Sequence, residues 1–130
     1  MDRSRTTPET GPGRGAAAAA VPVPAADADP PVSARWRATD EALETTFAFA
    51  SFGDAIGFMA AAVPGIDRMD HHPDWSNAHR RVRVSLSSHD VGRVTARDRR
   101  LAAYLDALYE ALGGEGASGA PADGAAGRAP

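Results

Sequence analysis

Arg81-Val82-Arg83-Val84-Ser85-Leu86 alternates charged or hydroxylated side chains with apolar ones. Successive side chains on a strand point to opposite faces, so Val82, Val84 and Leu86 share a dry face while Arg81, Arg83 and Ser85 share a wet one. Upstream, Leu43-Glu44-Thr45-Thr46-Phe47-Ala48-Phe49 alternates in the same way, with Leu43, Thr45, Phe47 and Phe49 on one face. Trp36 begins a preceding strand, with Thr39-Asp40-Glu41 as the turn. Two helices are legible around these strands. Ala55, Phe58, Met59, Ala62 and Ile66 recur at helical spacing, and Ser51 or Asp54 can cap the start. Pro64-Gly65 falls inside that pattern. The missing proline donor and its clash with the preceding turn predict a kink or an interruption, with the helix resuming over Ile66 to Met69. Leu101, Leu105, Leu108 and Leu112 form the stripe of a last helix over about 96–112, and Thr95-x-x-Asp98 resembles a capping box at its start. The order strand, helix, strand, helix predicts an α+β fold, with the helices packed on one face of an antiparallel sheet.

The chain has 130 residues and a formal net charge of -3. Residues 1–34 are rich in Ala, Pro, Gly and Asp, and residues 113–130 are almost entirely Gly, Ala, Pro, Ser and Asp. Neither stretch has periodic large apolar residues to offset its ordering entropy, so both read as disordered tails around a domain at 35–112. A chain starting near Ser33 is therefore expected to fold as well as the full one. A domain of that size is marginal alone, and oligomerisation would help it. The absence of Cys excludes disulfides, thiolate catalysis and Cys-based zinc sites. No apolar run is long enough to span a bilayer. The first thirty or so residues, with Asp2 and Glu9 early and prolines after the short Ala run, do not read as a signal peptide. The expectation is a soluble cytoplasmic protein. Every basic residue is Arg, which reads as compositional bias, and no basic stripe carries the interleaved aromatics of a nucleic-acid face.

All four histidines, His71, His72, His79 and His89, fall in one stretch. Imidazole titrates nearest neutrality, so the cluster points to proton transfer, ligand binding or metal binding, beside a structural or surface role. His71 and His72 are adjacent and on a strand would face opposite ways, which disfavours a shared metal. His71, His72 and His89 with Asp67 or Asp98 supply enough donors for a zinc site, but their spacing matches no metal signature. Pro73 biases His72 toward an extended backbone, a rigid turn that presents the imidazoles. Trp75 suits core packing better than a ligand wall. Asp98, at the third position of its helix, can cap the helix and can orient His89; the two roles are compatible. Asp67 precedes His71 by four residues and shares its face if that segment is helical. Arg80, Arg81 and Arg83 read as solvated or interfacial residues.

From about Trp36 to Leu112 these residues resemble the pterin-4a-carbinolamine dehydratase family. The resemblance rests on Asp67-Arg68-Met69-Asp70-His71-His72-Pro73-Asp74-Trp75, then His89, then Asp98, supported by Phe47-Ala48-Phe49 and Phe58-Met59. It implies a sheet of about four antiparallel strands with helices on one face, assembled as homodimers or homotetramers. The implied reaction is loss of water from a 4a-hydroxytetrahydropterin, the product of aromatic amino-acid hydroxylases. It yields a quinonoid dihydropterin, with neither metal nor cofactor. Carried over by position, His71 and His89 are the acid–base pair and His72 binds and orients the pterin. Asp67 and Asp98 hold the imidazoles in their working tautomers, while Pro73 and Trp75 shape the pocket. The chain departs from the family pattern in several places. His79 stands where an aromatic, commonly Tyr, is usual, which would alter one wall of the site or its packing. The usual N-terminal helix and its Gly-Trp are not recognisable. Val91-Gly92-Arg93 replaces a Gly-Gly turn, and Pro64-Gly65 interrupts the helix before the histidines. Two other readings stand beside the dehydratase: a non-catalytic dimerisation or assembly cofactor of the same fold, and a small His-based metalloprotein.

Overall fold

A computed structural model of the protein describes residues 21–114. Along the chain lie β1 (Arg37–Ala38), β2 (Leu43–Ala48), α1 (Phe52–Met69), β3 (Asp74–Ala78), β4 (Arg81–Leu86) and α2 (Ala96–Ala111). The four strands form one antiparallel sheet in the order β1-β2-β4-β3, with both helices on one face, the α+β arrangement expected. β3 went unread as a strand because Trp75 is its one large apolar side chain.

Register sorts the residues onto the two faces. Thr45, Val84 and Trp75 lie in one row across β2, β4 and β3, and Phe47, Val82 and Asn77 in the next. This face carries the core, where Leu43, Phe47, Val82, Val84 and Leu86 meet Ala55, Phe58, Ala62 and Ile66 of α1 and Leu101, Leu105 and Leu108 of α2. Phe47, Phe49, Phe58 and Tyr109 pack as a ring cluster, with Phe47–Tyr109 centroids 4.8 Å apart and Phe47–Phe58 centroids 5.0 Å apart. Burying one such side chain stabilises the fold by ~1.5–3 kcal/mol. The opposite face carries the rows Glu44–Ser85–Asp74 and Thr46–Arg83–Ser76, and among the described residues no helix covers it.

α1 runs through Pro64 without a break, against the interruption expected there. Proline removes one backbone donor, to the carbonyl of Ala60. Ala60 and Pro64 are both exposed, so water can take the orphaned acceptor. The next residue, Gly65, is buried because α2 comes very close. A Cβ there would lie 2.3 Å from Cζ of Tyr104. The Pro-Gly pair therefore marks close packing of the two helices, with proline turned to solvent.

The sequence reading placed disordered tails at 1–34 and 113–130, of which residues 1–20 and 115–130 lie outside the described residues. Residues 21–34 contain no helix and lie across the helical layer, with Val21, Val23 and Val32 partly buried against the core. Arg99 Nε donates to Asp29 Oδ1 at 2.6 Å, Arg100 Nη1 to the carbonyl of Ala28 at 2.7 Å, and Ser33 Oγ to Asp106 Oδ2 at 2.8 Å. Just beyond, Trp36 Nε1 and Arg35 Nη1 both donate to Asp106 Oδ1, at 3.0 and 2.7 Å. Three small valines at wide spacing are a weak compositional signal, and their anchors are polar contacts to residues about seventy positions away.

Candidate active site

The site begins where α1 ends. Asp70 adopts a left-handed backbone (φ 52°) and its N–H donates to the carbonyl of Asp67, which closes the helix and turns the chain. Short polar side chains tolerate that conformation better than most. Pro73 then keeps the chain extended into β3. Between these two points His71 is directed into the protein, its side chain 12% exposed.

Its partner is Asp98, fully buried at the start of α2. His71 Nε2 and Asp98 Oδ1 are 2.6 Å apart. The other carboxylate oxygen accepts from Ser88 Oγ at 2.7 Å and from the backbone N–H of Thr95 at 3.0 Å. Thr95 Oγ1 lies 2.7 Å from Ser88 Oγ and accepts from the N–H of Arg97 at 3.2 Å. These contacts set the protons in order: Thr95 donates to Ser88, and Ser88 donates to Asp98. A carboxylate removed from water is tolerated only when hydrogen bonds replace its hydration, and here three donors do so. Asp98 thus completes the capping box and also grips an imidazole; the imidazole is that of His71, where the sequence had suggested His89. With Nε2–H donating to Asp98, Nδ1 is left as the acceptor of the His71 ring.

The other two candidate histidines are exposed. His72 Nε2 comes within 3.5 Å of Asp67 Oδ1, so Asp67 serves His72 where helical spacing had offered it to His71. His89 Nε2 comes within 3.8 Å of Asp74 Oδ2. Asp74 was not singled out beforehand. Ser88, buried beside His89, was also missed: a serine in a Ser-Ser-His run carries no sequence mark of burial. The segment His71–Asp74 and the segment Ser88–His89 are therefore joined twice, through the two oxygens of Asp98 and through Asp74 and His89. Below them, Asp90 accepts two hydrogen bonds from Arg97 Nη2, at 2.7 and 3.0 Å, which hold its carboxyl below the ordinary range.

Pro73 lies between His72 and Asp74, half-buried. Trp75 lies on the helix-side face of β3 and packs against the core. His79 lies elsewhere. It occupies the two-residue turn between β3 and β4 with a left-handed backbone (φ 56°), and Asn77 Nδ2 donates to its carbonyl at 2.9 Å. About 17 Å of strand separates it from Asp74, so the histidine at this position does not alter a wall beside His71. Among the described residues, no group of three or more His, Asp or Glu side chains is arranged to hold a metal ion. Among them, too, no helix is long and apolar enough to cross a membrane.

The family described as pterin 4 alpha carbinolamine dehydratase matches residues 23–108. A protein of Nitrobacter winogradskyi, provisionally named a pterin-4-alpha-carbinolamine dehydratase, is 46% identical over 74 residues, covering 57% of this chain and 73% of its own. A similarly named protein of Afipia carboxidovorans is 42% identical over 80 residues, covering 60% and 80%. Among solved structures, the transcriptional coactivator/pterin dehydratase from Brucella melitensis superposes with a TM-score of 0.55 at 38% identity, covering 58% of this chain and 82% of that one.

Proposed function

The chain belongs to the pterin 4 alpha carbinolamine dehydratase family, and from that premise we propose that it removes water from a 4a-hydroxytetrahydropterin to give the quinonoid dihydropterin. One imidazole delivers a proton to the 4a hydroxyl, and the C4a–O bond breaks with its electron pair leaving in water. A second group takes the proton from N5, whose electron pair closes the C4a–N5 double bond. One water is lost and nothing is oxidised. Groups that titrate near neutrality suit both transfers.

His71 is the base in this reading. The observation that carries it is the buried Asp98 carboxylate, 2.6 Å from His71 Nε2, which leaves Nδ1 to accept the proton and stabilises the imidazolium that forms. His89, open to solvent beside Asp74, is the acid and regains its proton from water. His72, beside Asp67, orients the ring, and Pro73 and Trp75 set the shape of the turn that carries it. The same reading makes the enzyme cytoplasmic and cofactor-free, recycling tetrahydropterin for an aromatic amino-acid hydroxylase. It acts as a homo-oligomer: Phe52, Ile56 and Val63 lie exposed along one side of α1, an apolar stripe that a second copy would cover.

The test is dehydration of a 4a-hydroxytetrahydropterin generated in situ, measured against the buffer background. Wild type is expected to accelerate the reaction, and His71→Ala and His89→Ala each to remove most of that acceleration while remaining folded. Background turnover by folded wild type would discard the dehydratase. It would favour a coactivator role, the other activity for which the Brucella protein is named, in which the histidines are dispensable.

A further inference from the structure

Where residues 21–34 cross the helical layer they leave a hollow of about 520 Å³ between the end of α1 and the start of α2. Pro22, Val23 and Pro24 wall it on one side, Arg68 and Met69 of α1 and Arg100 of α2 on the other. That volume is ordinary for a small-molecule site. Val23 and Met69 are partly buried against the core, which fixes the apolar part of the lining. Arg100 is anchored by one donor, Nη1 to the carbonyl of Ala28 at 2.7 Å, and the rest of its donor fork is uncommitted. Arg68 is exposed and makes no hydrogen bond or ion pair with any described residue. Carboxylates on the same elements are engaged elsewhere. Asp29 accepts from Arg99 at 2.6 and 3.3 Å, and Asp67 faces His72 at 3.5 Å. Asp27 is exposed and lies outside the lining. One turn beyond Arg100, Tyr104 is 4% exposed, and its hydroxyl has no hydrogen-bond partner among the described residues. Burial raises its pKa and the charge on Arg68 opposes the rise, so the phenol lies within the field of that guanidinium.

We propose that this hollow binds a small amphipathic anion, an apolar body carrying one carboxylate, with Arg68 and Arg100 gripping the acid from the two helices. An inorganic anion would leave Pro22, Val23, Pro24 and Met69 facing water. A hydrocarbon would strip water from two guanidiniums and give them no partner. A carboxylate meets an arginine fork with two parallel hydrogen bonds, while an apolar body covers the carbon walls. The site is separate from the dehydratase reading, because none of its residues is a proton-transfer group. It is nevertheless joined to the histidines through the backbone. Arg68 and Met69 lead into the left-handed turn at Asp70 that presents His71, and Arg100 follows Asp98 by two residues. An occupant therefore fastens the same two helix ends that the His71–Asp98 contact joins.

The experiment titrates 3-phenylpropionate into the full-length protein by calorimetry, beside its neutral isostere 3-phenyl-1-propanol and inorganic phosphate. Wild type is expected to bind the carboxylate with a Kd of about 1 mM or tighter. The alcohol and phosphate are expected to bind at least about tenfold more weakly. Arg68→Gln is expected to weaken the carboxylate by about tenfold or more and to leave the alcohol unchanged. Arg83→Gln, which removes an exposed guanidinium from the opposite face of the sheet, is expected to change neither. Both residues lie at the surface, so both variants are expected to fold. Backbone amide shifts are expected to move at Val23, Met69 and Arg100. No saturable binding by wild type, equal affinity for the alcohol, or an Arg68→Gln protein that binds like wild type overturns the site. Equal weakening by Arg83→Gln reduces the effect to net charge and overturns it too. Shift changes centred on the exposed Phe52 and Ile56 do the same, because they mean adsorption to the apolar stripe of α1.

Discussion

His71 and Asp98, 27 residues apart, meet through Nε2 and Oδ1 at 2.6 Å, and the carboxylate that makes the contact also caps α2. One side chain thereby ties the end of the first helix to the start of the second and fixes which nitrogen of His71 can accept a proton.

Replacing Asp98 by Asn keeps the shape but puts an amide NH2 where one carboxylate oxygen accepted. The amide meets either the His71 N–H or the Ser88 and Thr95 donors, so one side of the network is lost. Dehydration above background is expected to fall by about a hundredfold or more, and His71 to lose its preference for the Nε2-protonated tautomer. Activity and imidazole nitrogen chemical shifts check the two halves separately.

Ser88→Ala removes one donor to Asp98 and the acceptor for the Thr95 hydroxyl. Both lost bonds are at a buried site, and the variant is expected to be ~1–3 kcal/mol less stable in urea unfolding. His71 keeps its own contact with Asp98, so the loss of activity should be much smaller than in His71→Ala. Equal losses would mean that the serine takes a direct part in the chemistry.

Gly65→Ala places a methyl group 2.3 Å from the Tyr104 ring. The helices must separate or the ring must move, at an expected cost of ~1–3 kcal/mol. Combining it with Tyr104→Leu should recover part of the lost stability, because the smaller side chain vacates that space. A double-mutant cycle by thermal unfolding gives the coupling directly.

Burial raises the pKa of the Tyr104 phenol above its ordinary value, an effect partly opposed by Arg68. The folded state thus holds this proton more tightly than the unfolded chain does. The resulting stability is fully present below the ordinary phenol pKa and is lost as the pH rises through the folded value. Wild type is expected to lose stability under alkaline conditions more steeply than Tyr104→Phe, in urea titrations at successive pH values.

The segment 21–34 carries a different expectation from the one its composition suggested. A chain beginning at Ser33 gives up the partly buried Val21, Val23 and Val32 and the Asp29–Arg99 contact. Relative to a chain beginning at Val21, it should be less stable by on the order of 2 kcal/mol, with a Tm lower by roughly 10 °C. Equal Tm values would show that the segment contributes nothing.

Strict alternation at 43–49 and 81–86 and the leucine stripe of α2 made the sheet and the last helix legible, because burial on one face imposes a period. The Thr95–Asp98 cap was legible too, as a local hydrogen-bond pattern with its own spacing. β3 was not, because an edge strand with one face in water and few core contacts needs little apolar sequence. At the site, the histidines and acids stood out by type, but their pairing did not. Which imidazole Asp98 would grip depended on the left-handed turn at Asp70 and on the packing of α1 against α2, and no spacing rule contains either. Ser88 and Asp74 were hidden for the same reason, being ordinary polar residues whose roles come from distant neighbours.

The most direct measurement is a stopped-flow dehydration trace of a 4a-hydroxytetrahydropterin with wild type and with Asp98→Asn, both shown to be folded by circular dichroism. The expected result is clear acceleration over buffer by wild type and near-background decay with Asp98→Asn. Full acceleration by the variant would contradict the central claim that the carboxylate beneath His71 arms it as the base.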